Sequence, residues 1–214
     1  MSWPWAALFA LGAYHGINPG MGWLFAVALG MQEKSSRAVW RALLPISVGH
    51  AVSIGVVVAL AGLAQTVLPM RSLKIGAAVM LFAFGCYHLL RHRHPRYGGM
   101  QVGFGDLAIW SFLMASAHGA GLMVLPVLFG MHGENFGSGS TVSMHHACLG
   151  AMGGSTANLA AVFVHTLGYL LVTASVAWVV YEKLGLALLR KAWLNLDLIW
   201  AVALVVTGCF VLVI

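Results

Sequence analysis

The sequence predicts an all-α integral membrane protein with six transmembrane helices, arranged as two inverted three-helix repeats. Its composition, the spacing of its apolar segments and its internal similarity lead to this prediction. Of 214 residues, 61% are hydrophobic and 7% are charged, which leaves too little charge to cover a soluble globule of this size. The three cysteines suggest no disulfide framework. The net charge of +6 is attributed to membrane topology, and no nucleic-acid partner is expected.

Six apolar stretches of about 20 residues follow one another along the chain, each long enough to cross roughly 30 Å of hydrocarbon. They are predicted at about 5–31, 39–65, 72–91, 105–131, 156–181 and 193–214. The N-terminal sequence MSWPWAALFA lacks the basic segment of a cleavable signal peptide and is interpreted as the start of the first span. The chain, 1–214, is expected to form one transmembrane domain with the lipid bilayer as its main partner.

The basic residues predict the orientation of these spans. Nine of the eleven Lys and Arg residues lie in or beside the first, third and fifth loops, and only Arg71 and Lys74 lie opposite. Cytoplasmic loops collect basic residues, so both termini are expected outside the cytoplasm, with the protein in the inner (plasma) membrane. The fourth loop, about 132–155, is then expected outside as well.

Internal similarity predicts that residues about 1–91 and about 105–214 are repeats. Three matches keep the same order in both halves: SAHGAGLM at 116–123 with AYHGINPG at 13–20, VHTLGYLL at 164–171 with GHAVSIGV at 49–56, and TGCFVL at 207–212 with FGCYHL at 84–89. Because three is an odd number of spans, the second half enters the membrane from the opposite face. Many transporters share this inverted design and bind substrate near the midplane.

Four histidines are related in pairs by these matches, His118 with His15 and His165 with His50. A rise of 1.5 Å per residue puts all four roughly halfway across the membrane. Lipid offers no partner for an imidazole, so intramembrane histidines face the protein interior and often mark ion pathways. The four imidazoles are therefore predicted to converge on one buried site and to be its metal ligands.

The first span also contains a predicted helix break. Asn18 precedes a Pro19-Gly20 pair, and proline removes a backbone donor and frees a carbonyl. Broken helices mark the binding sites of many transporters. Met21 and Met123 fall close to the proposed site and complete the predicted set of substrate-binding residues.

A second group of candidate ligands lies in the predicted fourth loop. The stretch SMHHACLGAM brings together Met144, His145, His146 and Cys148. Thioether, imidazole and thiol groups suit copper(I) or zinc. An ordinary outer loop is the alternative interpretation of this stretch.

The residues His15, Asn18, Gly20 and Met21 resemble, in register, the first-helix motif His-x-x-Asp-x-Asp-His of the nickel/cobalt permeases, which belong to the lysine-exporter superfamily. Pro19-Gly20 is also similar to a Pro-Gly turn of that superfamily's amino-acid exporters. The resemblance implies a transporter built from three-helix halves. Asn18, Gly20 and Met21 replace both carboxylates and one imidazole of the motif, so nickel or cobalt does not follow as the cargo.

These observations predict a transporter of a small cation, most simply a transition-metal ion, without distinguishing copper, zinc, nickel and cobalt. Proton coupling stays open because histidine titrates near neutral pH. A haem-b or quinone-linked electron-transfer subunit and an exporter of small organic solutes are the alternatives. No combination of nucleophile, base and orienting acid is visible, so an enzyme is not expected. Small-residue surfaces such as GAMGG leave a homo-oligomer open.

Overall fold

The structure, a computed structural model, describes residues 3–65, 68–90, 103–133, 144–184, 202 and 204–209. The described residues form helices and no strand, which confirms the predicted all-α class. The α-helices are α1 (Trp3–Ile17), α2 (Trp23–Gln32), α3 (Ser36–Gln65), α4 (Met70–Leu90), α5 (Phe104–Ala117), α6 (Ala120–Gly133) and α7 (Met144–Val179). A 3-10 turn at Pro19–Met21 separates α1 from α2, and a π-helical turn at Val180–Leu184 extends α7.

Two described helical stretches are long and apolar enough to cross a membrane, namely α3 and residues 156–183 of α7 with its extension. Helices α5 and α6 qualify as a third span when the two are taken together, with a bend of 57° between them. Two or three helices long and apolar enough to cross a membrane agree with the expectation of an integral membrane protein.

The outward faces of α3 and α7 are apolar along their length. Exposed large side chains recur on α3 at Trp40, Leu44, Val48, Val52, Val56 and Leu60, and on α7 at Leu159, Phe163, Leu167 and Leu171. A spacing of four residues makes each series a continuous stripe of neighbouring side chains that winds slowly around its helix. Soluble proteins rarely expose continuous apolar patches of this extent, so lipid is the solvent that these faces fit.

The residues of the first predicted span form two helices, α1 and α2, and the predicted break at Asn18–Gly20 lies between them. The Trp23 indole N–H donates to the carbonyl of Ile17 at 2.9 Å, and Asn18 Oδ1 accepts from the Gly20 N–H at 3.0 Å. Local side chains therefore satisfy part of the backbone that the break frees.

Helices α1 and α7 pack in backbone contact. A Cβ atom on Gly12 would lie 1.9 Å from the carbonyl oxygen of His165, and one on Gly16 would lie 2.6 Å from that of Tyr169. Both contacts advance by four residues in the same direction, so α1 and α7 are parallel. Only glycine permits so close an approach at these positions.

Helices α3 and α5 form a second parallel pair. A Cβ atom on Gly49 would lie 2.1 Å from the carbonyl oxygen of Ala108. Further along both helices, the hydroxyl groups of Ser53 and Ser116 are hydrogen-bonded at 2.9 Å.

The C-terminal end of α2, the N-terminal part of α3 and the C-terminal end of α7 meet at one end of the bundle. A Cβ atom on Gly30 would lie 2.3 Å from the Val39 side chain and 3.1 Å from the Tyr181 ring. Lys34 and Lys183 flank these contacts along the chain. We call this the basic end of the bundle and the opposite end the far end.

The predicted fourth loop, about 132–155, lies between the candidate spans that end at Phe129 and begin at Thr156, but part of it is helical. Helix α6 reaches Gly133, and α7 begins at Met144. The stretch from Met144 contains no proline, and the helix continues through Gly150, Gly153 and Gly154 although glycine disfavours helix. The side chains of the second candidate ligand group, Met144, His145, His146 and Cys148, lie outside the described residues.

Candidate functional site

Three of the four predicted histidines lie together in the bundle. His15 of α1, His50 of α3 and His165 of α7 are each fully buried. The ring centroids of His15 and His50 are 5.8 Å apart, those of His15 and His165 are 5.0 Å apart, and those of His50 and His165 are 5.6 Å apart. We call these three side chains the imidazole cluster.

Glycine-mediated packing positions the cluster. Gly12 lies less than one turn before His15 and contacts the backbone of His165, while Gly49 directly precedes His50. Side chains at either glycine would separate the helices that carry the rings. The Nδ1–H of His15 donates to the Leu11 carbonyl at 2.7 Å, which orients the ring and leaves Nε2 as the acceptor in the neutral imidazole.

His118 repeats the local geometry of His15. Its Nδ1 lies 2.8 Å from the carbonyl oxygen of Met114, four residues earlier, as His15 does with Leu11. His118 is buried at the turn between α5 and α6, where Gly119 adopts φ +68°. The ring contacts described above join the other three histidines.

Two rings of the cluster lack hydrogen bonds to the described part of the chain. Neither ring nitrogen of His50 or of His165 has such a partner, although the Leu8 carbonyl faces the His165 ring. Buried polar groups are normally hydrogen-bonded, and leaving one unpaired costs about 1–3 kcal/mol. The two nitrogens of His50 in particular are available to water or to a ligand.

The other predicted site residues are also buried. Asn18 is nearly inaccessible, and its Nδ2 has no hydrogen-bond partner among the described residues. Met21 and Met123 are buried as well. A Cβ atom on Gly20 would lie 3.4 Å from the Met114 side chain. The break between α1 and α2 therefore contacts α5 just before the turn that joins α5 to α6.

Tyr169 belongs to this site although the sequence analysis did not select it. Its ring stacks on the His50 ring, with centroids 3.8 Å apart and an interplanar angle of 8°. Its hydroxyl donates to the carbonyl of Met21 in the 3-10 turn, and Thr173 donates to the carbonyl of Gly16 at 3.5 Å. Tyr169 follows His165 by four residues and therefore shares its helix face, a signal that the sequence did contain.

The distances between the ring centroids of the cluster match those of a metal site, but the ring planes are not oriented to share an ion. Three imidazoles that share a tetrahedral ion, with nitrogens bound at about 2.0–2.1 Å, would have ring centroids about 5.2 Å apart. Within the described ranges, however, no three or more His, Cys, Asp or Glu side chains are placed to hold a metal ion. The rings of His50 and His165 are parallel to within 6°, so binding an ion requires at least one ring to rotate. Rotation about χ2 of histidine is soft.

No protein-family model matches this sequence, and no curated protein or solved structure is significantly similar to it. The resemblance to nickel/cobalt permeases therefore stays a prediction based on residues 15–21.

Proposed function

We propose that this chain is a membrane transporter that carries a small cation, a transition-metal ion, through the imidazole cluster. The observation that carries the proposal is the meeting of three fully buried imidazoles from three helices, with ring centroids 5.0–5.8 Å apart, beside a helix break. A purely structural histidine pairs with a neighbouring carbonyl or hydroxyl group. Intramembrane ionisable residues with spare ligating nitrogens are typical of ion pathways.

We further propose six spans in two inverted repeats. Exchanging each helix for its repeat counterpart turns the parallel pair α1 and α7 into the parallel pair α5 and α3. Individual contacts follow the same exchange, because the Ser53–Ser116 hydrogen bond of 2.9 Å corresponds to the close approach of Gly168 to the Ala13 amide. The cluster then lies between the repeats, as expected of alternating-access transporters.

The basic end is proposed to face the cytoplasm of a cell whose inner (plasma) membrane holds the protein. Lys34 and Lys183 come from the first and fifth predicted loops, and their common location supports placing these loops on one side. The positive-inside rule then puts both termini outside the cytoplasm.

The charge of the ligand set favours a singly charged, soft ion. The buried polar side chains of the described residues include no carboxylate, so the charge of a bound ion is not compensated there. The solvation penalty of a buried ion grows steeply with its charge. Imidazoles, with the thioether of Met21 nearby along the chain, are ligands that suit copper. We therefore propose copper(I) as the best-matched cargo, ahead of zinc, nickel and cobalt.

The two alternative functions fit this geometry less well. Haem b requires a porphyrin between two axial imidazoles, but His15 lies within 5.8 Å of both His50 and His165, and Tyr169 covers the His50 ring. An amino-acid cargo calls for a carboxylate to pair with its ammonium group. An absorption spectrum of the purified protein distinguishes haem binding from transport.

The proposal is tested with purified protein in liposomes and a panel of copper(I) under reductant, silver(I), zinc, nickel and cobalt. Alanine at His15, His50 or His165 is expected to lower copper(I) uptake by more than about 10-fold, as loss of metal-site residues commonly does. Alanine at His118 tests whether the turn between α5 and α6 contributes to copper(I) uptake. Alanine at His92, in the basic segment after α4, is the matched control and should leave uptake unchanged.

Each variant is first checked for a monodisperse elution profile and for its thermal midpoint, so that a loss of uptake is assigned to the site and not to misfolding. Uptake by the three cluster variants equal to that of His92→Ala would show that the cluster does not carry the cation. Absence of uptake of every metal by the unmodified protein would refute metal transport itself.

A further inference from the structure

We infer that Tyr169 is the gate that closes the cation path between the imidazole cluster and the basic end, and that its bond to the Met21 carbonyl keeps it closed. The inference rests on the proposed transport function and adds a gating residue to it.

Polar side chains follow one face of α7 through the centre of the bundle. They are Asn158, His165, Tyr169 and Thr173, spaced by seven, four and four residues, which keeps them on one side of the helix. At 1.5 Å per residue, Tyr169 lies about 6 Å from His165 towards the basic end, and Asn158 lies about 10 Å from it towards the far end. The Asn158 Oδ1 is buried and has no hydrogen-bond partner in the described part of the chain. Tyr169 therefore lies where an ion leaving the cluster for the basic end must pass.

Tyr169 fills this position completely. It is fully buried, and its ring covers one face of the His50 ring at 3.8 Å. A Cβ atom on Gly22 would lie 3.0 Å from the Tyr169 hydroxyl and 2.4 Å from the Ile46 side chain, so no free space separates the tyrosine from the helix break. Towards the basic end, the core continues with buried apolar side chains, among them Trp23, Val27, Leu43 and Ile46.

The hydroxyl of Tyr169 connects the side chain to the helix break by a hydrogen bond. It donates to the carbonyl of Met21, one of the groups in the irregular turn between α1 and α2. The stacked ring connects the same residue to His50. An ion shared by His50 and His165 requires one of these rings to rotate, and rotation of the His50 ring disturbs the stack of Tyr169 on it. Ligand binding and release of the gate are thereby coupled through one side chain.

The repeat gives the gate a counterpart of different chemistry. The match that aligns His165 with His50 aligns Tyr169 with Ile54, which is fully buried and follows His50 by one turn towards the far end. Isoleucine has no hydroxyl group to donate to a backbone carbonyl. The hydrogen-bonded latch is therefore specific to the basic side of the cluster.

The test measures how fast a membrane-impermeant thiol reagent reaches the cluster from each side, with no cation present. Ser53→Cys is the reporter, in a background where Cys86, Cys148 and Cys209 are replaced by serine. Vesicles are prepared in both orientations. Tyr169→Phe keeps the stacked ring and removes only the hydroxyl, and is expected to raise labelling from the basic side about fivefold, the equivalent of one typical net hydrogen bond. Labelling from the far side should stay unchanged.

Ser175→Ala is the matched control, since it removes a hydroxyl from the outer face of the same helix, where Ser175 donates to Leu171 at 2.7 Å. Equal basic-side labelling with and without the Tyr169→Phe substitution, or an equal rise from both sides, would overturn the gate. If Ser53→Cys is not monodisperse, Ala161→Cys replaces it as reporter, because Ala161 is fully buried one turn before His165. Labelling is independent of metal uptake, so failure of the gate and failure of the transport proposal give different results.

Discussion

Replacing Gly12 with alanine should damage both the stability of the bundle and the imidazole cluster. The added Cβ would lie 1.9 Å from the His165 carbonyl oxygen, whereas carbon–oxygen contacts approach no closer than about 3.3 Å. Helices α1 and α7 must therefore separate by about 1.4 Å at this level. Overpacking of this kind costs about 1–3 kcal/mol. The same displacement moves His165 away from His15, whose ring centroids are now 5.0 Å apart.

Thermal unfolding in detergent measures the first effect and cation uptake measures the second. For a chain of this length, about 2 kcal/mol corresponds to a fall of roughly 4–8 °C in the thermal midpoint. Gly55→Ala on α3 is the matched control, because no atom lies within 4 Å of its Cβ position and alanine favours the helix by about 1 kcal/mol. The reasoning fails if Gly12→Ala has the midpoint and uptake of Gly55→Ala.

Two further predictions address the helix break and the topology. Trp23→Phe removes the donor that lies 2.9 Å from the Ile17 carbonyl and should lower stability by about 1–2 kcal/mol, measured as a shift in thermal midpoint; an unchanged midpoint would show that water replaces the indole. A reporter enzyme fused after Ile214 should be active only outside the cytoplasm, and cytoplasmic activity would reverse the assignment of the basic end.

The sequence anticipated the features of this molecule that depend on local chemistry. Proline at position 19 cannot donate a backbone hydrogen bond, so the break in the first span follows from the residue itself. The burial of His15, His50 and His165 followed from their depth in apolar segments.

Features that depend on packing between segments distant in the chain could not be predicted from the sequence. The stack of Tyr169 on His50 joins α7 to α3, and no local pattern specifies the relative rotation of two helices. The parallel rings of His50 and His165 have the same origin. The helical start of α7 at Met144 was missed because the glycines at 150, 153 and 154 weaken the helical pattern of the stretch that follows.

The backbone contact between α1 and α7 also sets an order on folding during synthesis. The glycine-lined face of α1, with His15 beside it, has its tightest partner in a helix that is made more than a hundred residues later. Until that helix is inserted, the glycine face of α1 and the His15 side chain lack their packing partner. Contacts between segments so distant in the chain are slow to form, so the final bundle closes only when the fifth predicted span arrives.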